Sequence, residues 1–332
     1  MNKAYAHVKW FVEDTAPTES QSVFVQTTQM AANLWTNIWM GAALVMLAVA
    51  WVMDRFLPAP PRWWTDKIAA RKQVWLRVLQ FLVGVSLLVS SLQQHILVLH
   101  LMADGTWGSV LLMVQFTTSF VLISTMFPLA AGVLLTALYL GMAVRFGLAS
   151  GLEYLNFLGI AIFLVLFARM KSEADWEMRA LPVLRILTGT ALIVLALTEK
   201  LLNPAPAIEL AGMYGLNFMS TIGFKAFSDE LFVISAGFME LVFGSLLVLG
   251  WVTRLNTLAL AGFLIASNLY FFAAGYADEG WVELVGHLPV LAAGVILIVY
   301  GSGKRKVLSH ETRTYANKLS SLPSKSPNSI VE

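Results

Sequence analysis

The residues best suited to chemistry are charged and imidazole side chains within long apolar stretches of the second half of the chain. Glu240 lies near the middle of the apolar run Leu231–Gly250. An isolated carboxylate at that depth costs at least ~2.5 kcal/mol, so it needs a partner, a proton or a cavity. Glu283 and His287 are four residues apart and share one face of a helix. Such groups in one low-dielectric pocket alter each other's protonation, which suits proton-coupled chemistry.

Two further charged pairs flank the same apolar runs. Glu199 and Lys200 end one run, and Asp229-Glu230 begins the next on the same side. We therefore predict a polar cluster that opens outward, with Glu240 at its floor. A structural alternative stays open, because a buried pair can simply hold helices together and an interfacial pair can reach water. Arg254 is either a binding residue that reaches a carboxylate or an anchor at the inner surface.

Metal, haem and nucleotide sites have little support. The chain has 0 Cys, and no pair of histidines stands at a metal-binding helical spacing. His95 and His100, near the end of the second apolar run, point about 140° apart on an ideal helix. The segment Gly301-Ser-Gly-Lys304 imitates part of a phosphate loop but follows no strand. We predict no metal and no nucleic acid partner, and expect the basic residues there to contact anionic lipid headgroups.

The composition places these residues in a membrane. Hydrophobic residues make up 58% of the chain and charged residues 13%, whereas a soluble domain carries about 25% charged residues. Nine apolar stretches are long enough to cross about 30 Å of hydrocarbon, where only helices and closed barrels satisfy the backbone. They are Leu34–Met53, Leu79–Leu101, Val110–Met126, Leu129–Val144, Tyr154–Phe167, Leu184–Leu202, Leu231–Gly250, Leu255–Ala274 and Val282–Tyr300.

The distribution of Lys and Arg predicts the orientation. With nine spans, the richly basic segments all fall on one face. They include Arg55, Arg62, Lys67, Arg71, Lys72, Arg77, Arg169, Lys171, Arg179, Arg185, Arg254 and Lys304. The N-terminus is then outside and the C-terminus cytoplasmic. We expect a multi-pass protein of a bacterial inner membrane.

Two parts of the chain follow a similar plan. Arg77 opens one set of four spans and Arg185 opens another, and Glu153 and Glu283 stand at the heads of the two last helices. This predicts two parallel four-helix units after one N-terminal helix. The predicted parts are an extracytoplasmic segment (1–30), the first transmembrane helix with a basic linker (31–76), a degenerate four-helix unit (77–170), a second four-helix unit (171–303) and a disordered, basic cytoplasmic tail (304–332).

The order of polar and glycine residues in the second unit has a recognisable form. It runs through Arg185, Gly189, Glu199-Lys200, Pro204, Ser228-Asp-Glu-Leu-Phe232, Glu240, Gly244, Gly250-Trp-Val-Thr-Arg254, Glu283, Gly286-His-Leu-Pro289 and Gly301. The Gly-x-x-Thr-Arg turn after an intramembrane Glu is the most specific piece. This segment resembles the DoxX family of four-helix membrane proteins. The first unit resembles a degenerate copy, with Gln115 and Thr117-Thr118 in place of the carboxylate and Phe157 in place of His287.

The resemblance implies a redox role. The DoxX family includes the membrane subunit of a thiosulfate:quinone oxidoreductase, and other members are linked to thiol and sulfur redox complexes. By analogy we expect a membrane subunit of a quinone-linked oxidoreductase that acts on a small sulfur or thiol compound, with one site in the second unit. The implied catalytic residues are Glu240, His287 and Glu283, and the implied substrate-binding residues are Glu199, Lys200 and Arg254.

Quinone is the cofactor that the resemblance suggests, and the lack of Cys predicts a periplasmic protein partner that delivers electrons. Two other functions stay open. The same pocket would suit a transporter of a small solute, because paired helical repeats and an intramembrane Glu fit transport as well. A non-catalytic scaffold would instead recruit a periplasmic enzyme through the N-terminal segment and the loop Asn203–Ser228.

Overall fold

The computed structural model describes residues 34–170 and 173–303, without the side chains of residues 173–176. The predicted extracytoplasmic segment and cytoplasmic tail lie outside this part. The α-helices are α1 Leu34–Phe56, α2 Lys72–Leu92, α3 Gly105–Ser124, α4 Pro128–Glu153, α5 Leu155–Arg169, α6 Glu173–Leu195, α7 Ala205–Tyr214, α8 Phe218–Thr221, α9 Asp229–Leu249, α10 Thr253–Ala273 and α11 Ala277–Tyr300. A π-helix Trp64–Ala69 precedes α2, and a second, Ala196–Leu201, extends α6.

Eight helices of the described residues are long and apolar enough to cross a membrane. The protein is therefore an all-α, multi-pass membrane protein. The fifth predicted span corresponds to α5, which has 15 residues. At a rise of about 1.5 Å per residue it extends about 22 Å, less than the hydrocarbon thickness of about 30 Å. Eight full-length helices and one shorter helix thus take the place of the nine predicted spans.

The long helices form a closed ring around a buried core. Neighbours pack in the order α2, α3, α4, α5, α6, α9, α10 and α11, and α11 packs back against α2. Helix α11 also contacts α5 and α6, and α1 lies outside the ring against α9. We call α2–α5 the first helix set, and α6 with α9–α11 the second helix set. The two sets meet along two joints, where α5 packs on α6 and where α2 packs on α11.

Basic residues cluster at one end of the bundle, where α9 and α11 end and α2 begins, and we call this the basic end. It includes Lys72, Arg77, Arg185 and Arg254. Fully buried Arg185 donates from Nη1 to the carbonyls of Leu247 and Val248 at the end of α9. Arg254 donates from Nε to the carbonyl of Ile298, 3.1 Å away, at the end of α11. These arginines bind orphan carbonyls at helix C-termini, where a cation is favoured.

The second predicted span, Leu79–Leu101, extends too far at its C-terminal end. Helix α2 ends at Leu92 rather than at Leu101. Residues 93–104 form a compact turn instead, with left-handed backbone at Gln94 (φ 63°) and Leu97 (φ 62°). His95 and His100 therefore do not lie on a helix, and the predicted angle between them is wrong. Hydropathy failed here because the apolar residues of this turn are buried in the bundle.

A reversal within α4 brings a carboxylate into the bundle. Gly147 has φ 91° and ψ 173°, a conformation open essentially to glycine alone. The following residues fold back along α4, so that Tyr139 Oη donates to the carbonyl of Gly151 at 2.6 Å. As a result Glu153 is buried, with 3% of its surface exposed.

Candidate functional site

A small cavity lies where α5, α6, α9, α10 and α11 meet. Its volume is about 50 Å³, enough for roughly three or four water molecules. The ionisable residues on its wall are Glu153, Tyr154, Glu199, Lys200, Glu240 and His287. Along α9, Glu240 is about 16 Å from Asp229 and about 14 Å from Leu249 at the helical rise. The cavity therefore lies near mid-depth of the long helices.

Glu240 forms an ion pair with Lys200. The Lys200 ammonium donates to Glu240 Oε1, and the two side chains are only 15% and 12% exposed. The close approach depends on Gly237, because a Cβ there would lie 2.8 Å from Leu201 Cδ2 and 3.0 Å from Lys200 Cβ. The π-helix at the end of α6 thus places an ammonium beside a mid-membrane carboxylate.

His287 is held in one tautomer by Asn268. Asn268 Nδ2 lies 3.0 Å from His287 Nδ1 and also donates to the carbonyl of Leu264 at 2.5 Å. A carbonyl only accepts, so it fixes which atom of the amide is nitrogen. His287 Nδ1 must then accept, and the proton of the neutral ring sits on Nε2. That nitrogen faces Glu283 Oε1 at 3.9 Å.

Pro289 contributes to the position of His287. A proline has no N–H, so the carbonyl of Val285, four residues earlier, loses its helical partner. Ser86 of α2 replaces that partner and donates to the carbonyl of Val285 at 2.9 Å. The hydrogen bond ties α11 to the first helix set two residues before His287.

The first helix set contributes the remaining wall of the cavity. Thr198 Oγ1 donates to Glu153 Oε1 at 3.1 Å, which joins α4 to the π-helix of α6. Tyr154 Oη lies 3.5 Å from His100 Nδ1, so it links the cavity wall to the turn 93–104. Phe157, at the position that sequence comparison matches to His287, lies on the same wall.

The charges around the cavity do not balance. Glu283 lies behind His287 and interacts electrostatically with Lys200, Glu199 and Glu240. Glu153 completes the carboxyl set, whereas Lys200 is the one Lys or Arg on the wall within the described residues. Four carboxylates against one ammonium give a net charge of −3 if all are ionised. Such a charge is too costly away from water, so some of these carboxyls must hold protons.

The structure brings together five of the six residues that the sequence selects. Glu199, Lys200, Glu240 and His287 line the cavity, and Glu283 contacts it through His287. Arg254 does not belong to it. This arginine binds the end of α11 through the carbonyls of Ile298 and Val299, so it lies apart from the cavity, and its substrate-binding role stays a prediction.

The cavity wall extends beyond the second unit, to which the sequence assigned the site. Glu153, Tyr154 and Asn156 of the first set form part of the wall, because α5 packs directly on α6. The sequence singled out Glu153 only as the counterpart of Glu283, and Asn268 was not among the predicted site residues. An amide within the apolar run Leu255–Ala274 was the available signal for Asn268.

Within residues 34–170 and 173–303, no three His, Asp or Glu side chains are placed to hold a metal ion. Comparisons with known proteins add no relative: no family model matches the chain, and no curated protein or solved structure matches it either.

Proposed function

We propose that the chain is a membrane subunit of a quinone-linked oxidoreductase that acts on a small sulfur or thiol compound. The cavity is the place where protons are exchanged with the reaction. The observation that carries this proposal is a set of four carboxyls, three buried and one 12% exposed, around a single ammonium and a histidine among the described residues. The resemblance of residues 185–304 to the DoxX family favours quinone-linked chemistry over other proton-coupled reactions.

The contacts of two carboxyls support different roles. Glu240 is paired with the Lys200 ammonium, whose charge a carboxylate balances. Glu283 holds the proton, because it faces neutral His287 and its Oε2 has no hydrogen bond among the described residues. When Glu283 gives up this proton to the reaction, the Nε2–H of His287 faces the resulting carboxylate as a hydrogen-bond donor, and the Glu240–Lys200 pair stays neutral overall. Proton transfer by such placed groups contributes about 10²–10⁴-fold to a rate.

The size of the cavity decides where a quinone would bind. A cavity that holds benzene is about 150 Å³, three times the volume of about 50 Å³ found here. The headgroup would therefore bind at the more exposed side, next to Lys200 and Glu240, rather than inside. Protons would reach it through the cavity from Glu283.

Electrons and protons balance when a quinone and a thiol compound react together. Reduction of a quinone to a quinol takes up two electrons and two protons. Oxidation of two thiols to one disulfide releases two electrons and two protons. The chain has 0 Cys, so the electrons pass directly between substrates or through a protein partner, while this subunit handles the protons.

The basic end supports a proposed orientation. Because Lys and Arg favour the cytoplasmic side, the basic end would face the cytoplasm and the loop Asn203–Ser228 would lie outside. In a bacterium this corresponds to the inner membrane, with a partner protein on the periplasmic face. Cysteine labelling from either side of intact cells, at single Cys introduced at Lys225 and Arg179, tests this assignment.

The function is tested with purified protein in proteoliposomes. Lipid extracts should contain bound quinone, and a quinone analogue should be reduced when thiosulfate or a small thiol is added. Glu283→Gln should abolish the reduction, whereas Glu230→Gln, an exposed control on α9, should leave it unchanged. Full activity of Glu283→Gln would rule out the proposed proton exchange.

A proton-coupled transporter is the second candidate. It is favoured by the position of the cavity at the α5–α6 joint between the two helix sets, where a rocking motion would open it to alternate sides. Uptake of a small solute that depends on a proton gradient but not on any reductant would support this alternative.

A further inference from the structure

A second and larger cavity lies at the basic end, remote from the buried carboxyls. Its volume is about 530 Å³, within the range of about 300–1,000 Å³ that small-molecule sites occupy. It is formed where α2 and α4 begin and where α3 and α5 end, and its wall runs from Lys72 to Met170. The proposed function does not use this cavity.

One side of the cavity is cationic. Lys72 and Arg77 line it together with the amide of Gln73, and no lining residue in the described part is acidic. Helices α2 and α4 also begin here, and neither has a side-chain cap at its N-terminus. The negative ends of α3 and α5 lie at the same cavity and offset the positive ends of α2 and α4, so its cationic character comes from Lys72 and Arg77. The wall therefore favours an anionic group, and Arg77 suits a phosphate because guanidinium groups bind phosphate oxygens in pairs.

The other side of the cavity is apolar. Leu76, Met126 and Phe167 lie on the same wall as the cations. Met126 is 73% exposed and neighbouring Phe127 is 58% exposed, so the apolar wall continues onto the outer surface of the bundle. A ligand that matches both sides carries a phosphate and a hydrocarbon chain.

The second helix set shows how the corresponding region can be filled. There Arg185 is fully buried, and it binds the carbonyls at the end of α9. Arg77 holds the same place at the start of the first set, but it is exposed beside the cavity. The first set thus has an arginine facing an open space, whereas the arginine of the second set is used within the protein.

We propose that this cavity binds an acidic phospholipid, with the headgroup phosphate at Lys72 and Arg77 and an acyl chain along Leu76, Met126 and Phe167. A bound lipid would fill the gap between the ends of α2, α3, α4 and α5. The bound headgroup would also anchor the basic end of the first helix set at the membrane surface.

The test uses the full chain, purified in detergent and stripped of lipid, with native mass spectrometry as the readout. Phosphatidylglycerol should bind more tightly than phosphatidylcholine. At about 1 kcal/mol for each cation, Arg77→Gln should weaken phosphatidylglycerol binding about fivefold and the Lys72→Gln/Arg77→Gln pair about 30-fold. Arg179→Gln, an exposed charge at the same end but outside the cavity, should change binding by less than about twofold.

Several outcomes would overturn the proposal. Equal binding of the two lipids would remove the role of the acidic headgroup, and an equal loss in Arg179→Gln would show a general surface effect. Competition by inorganic phosphate, lost in Arg77→Gln, would assign the cavity to free phosphate instead of lipid. The melting temperature of each lipid-free variant must match the wild type, so that a folding defect is not read as a loss of binding.

Discussion

The two helix sets place a polar residue at the middle of matching helices and use it in different ways. In α3, Gln115 is fully buried and all its contacts are with backbone. Its Oε1 accepts from the Leu97 N–H at 2.7 Å, and its Nε2 donates to the carbonyls of Leu87 (3.1 Å) and His95 (2.9 Å). In α9, Glu240 instead pairs with a lysine and borders a cavity.

The difference comes from what occupies the space in front of each residue. In the first set the turn 93–104 inserts Ile96, Leu97 and Val98, all buried, and Gln115 binds that turn. In the second set α6 ends in a π-helix that supplies Lys200, and the connection to α9 leaves room beside it. A neutral amide with matched partners has a structural role. A carboxylate beside an ammonium and a cavity has protonation states that a reaction can use.

The largest expected effect is on activity, and it comes from replacing Glu240 by glutamine, the residue type that the first set has at position 115. Glu240→Gln leaves the Lys200 ammonium without its carboxylate, and the excess positive charge drives Glu283 to release its proton. Quinone reduction should fall by about 10²–10⁴-fold, the contribution of a placed proton-transfer group. The double variant Glu240→Gln/Lys200→Gln should recover thermal stability but not activity. A fully active Glu240→Gln protein would show that the pair is structural, as Gln115 is.

The reciprocal change should damage the fold instead. Gln115→Glu puts a carboxylate against the carbonyls of Leu87 and His95 and removes the amide that donates to them. An uncompensated buried charge costs about 3–5 kcal/mol, so the free energy of unfolding in detergent should fall by about that amount. Gln93→Glu, at the exposed end of α2, is the matched control and should change stability little. Equal effects of the two substitutions would contradict the structural role of Gln115.

The helices were largely predictable from hydropathy, because the bilayer length and the lack of charge constrain each span. The prediction failed at the turn 93–104 and at the reversal after Gly147. In both places apolar residues leave the helix yet stay buried against neighbouring helices, which no single-chain pattern reveals. At Gly147 the only signal was the glycine itself.

The site was predictable where one helix carries it. The spacing of Glu283 and His287 placed both on one face, and the depth of Glu240 marked it as unusual. Glu153, Thr198 and Asn268 reach the cluster only through packing between helices distant in sequence. Arg254 illustrates the opposite case, since this residue of the matching motif binds the end of α11 and does not line the cavity.

A smaller effect on activity is expected when His287 is replaced by phenylalanine, the residue type at the matching position 157 of the first set. His287→Phe removes the N–H donor that faces Glu283 but keeps a ring of similar size, so the fold should survive. Quinone reduction should drop by about 10²-fold, with a melting temperature close to that of the wild type. Unchanged activity would exclude His287 from proton exchange and leave it a packing role.

The smallest effect concerns the pH response of the turn that fills the first set. Burial lowers the pKa of His95 from its usual value of 6.5. The unfolded turn therefore binds a proton more readily, and its stability is complete above pH ~6.5 and falls below it. Hydrogen exchange of residues 93–104, corrected for intrinsic rates, should be faster at about pH 5.5 than at about pH 7.5. The loop Asn203–Ser228, which has no histidine, should lack this response, and His95→Phe should remove it.

The most direct measurement of the central claim is infrared spectroscopy of the membrane-reconstituted protein at neutral pH. We expect carbonyl absorption from protonated, buried carboxylic acids that shifts in D₂O, with one component lost in Glu283→Gln and all components kept in Glu230→Gln. The absence of this absorption in the wild type, or an unchanged absorption in Glu283→Gln, would contradict a proton held at Glu283.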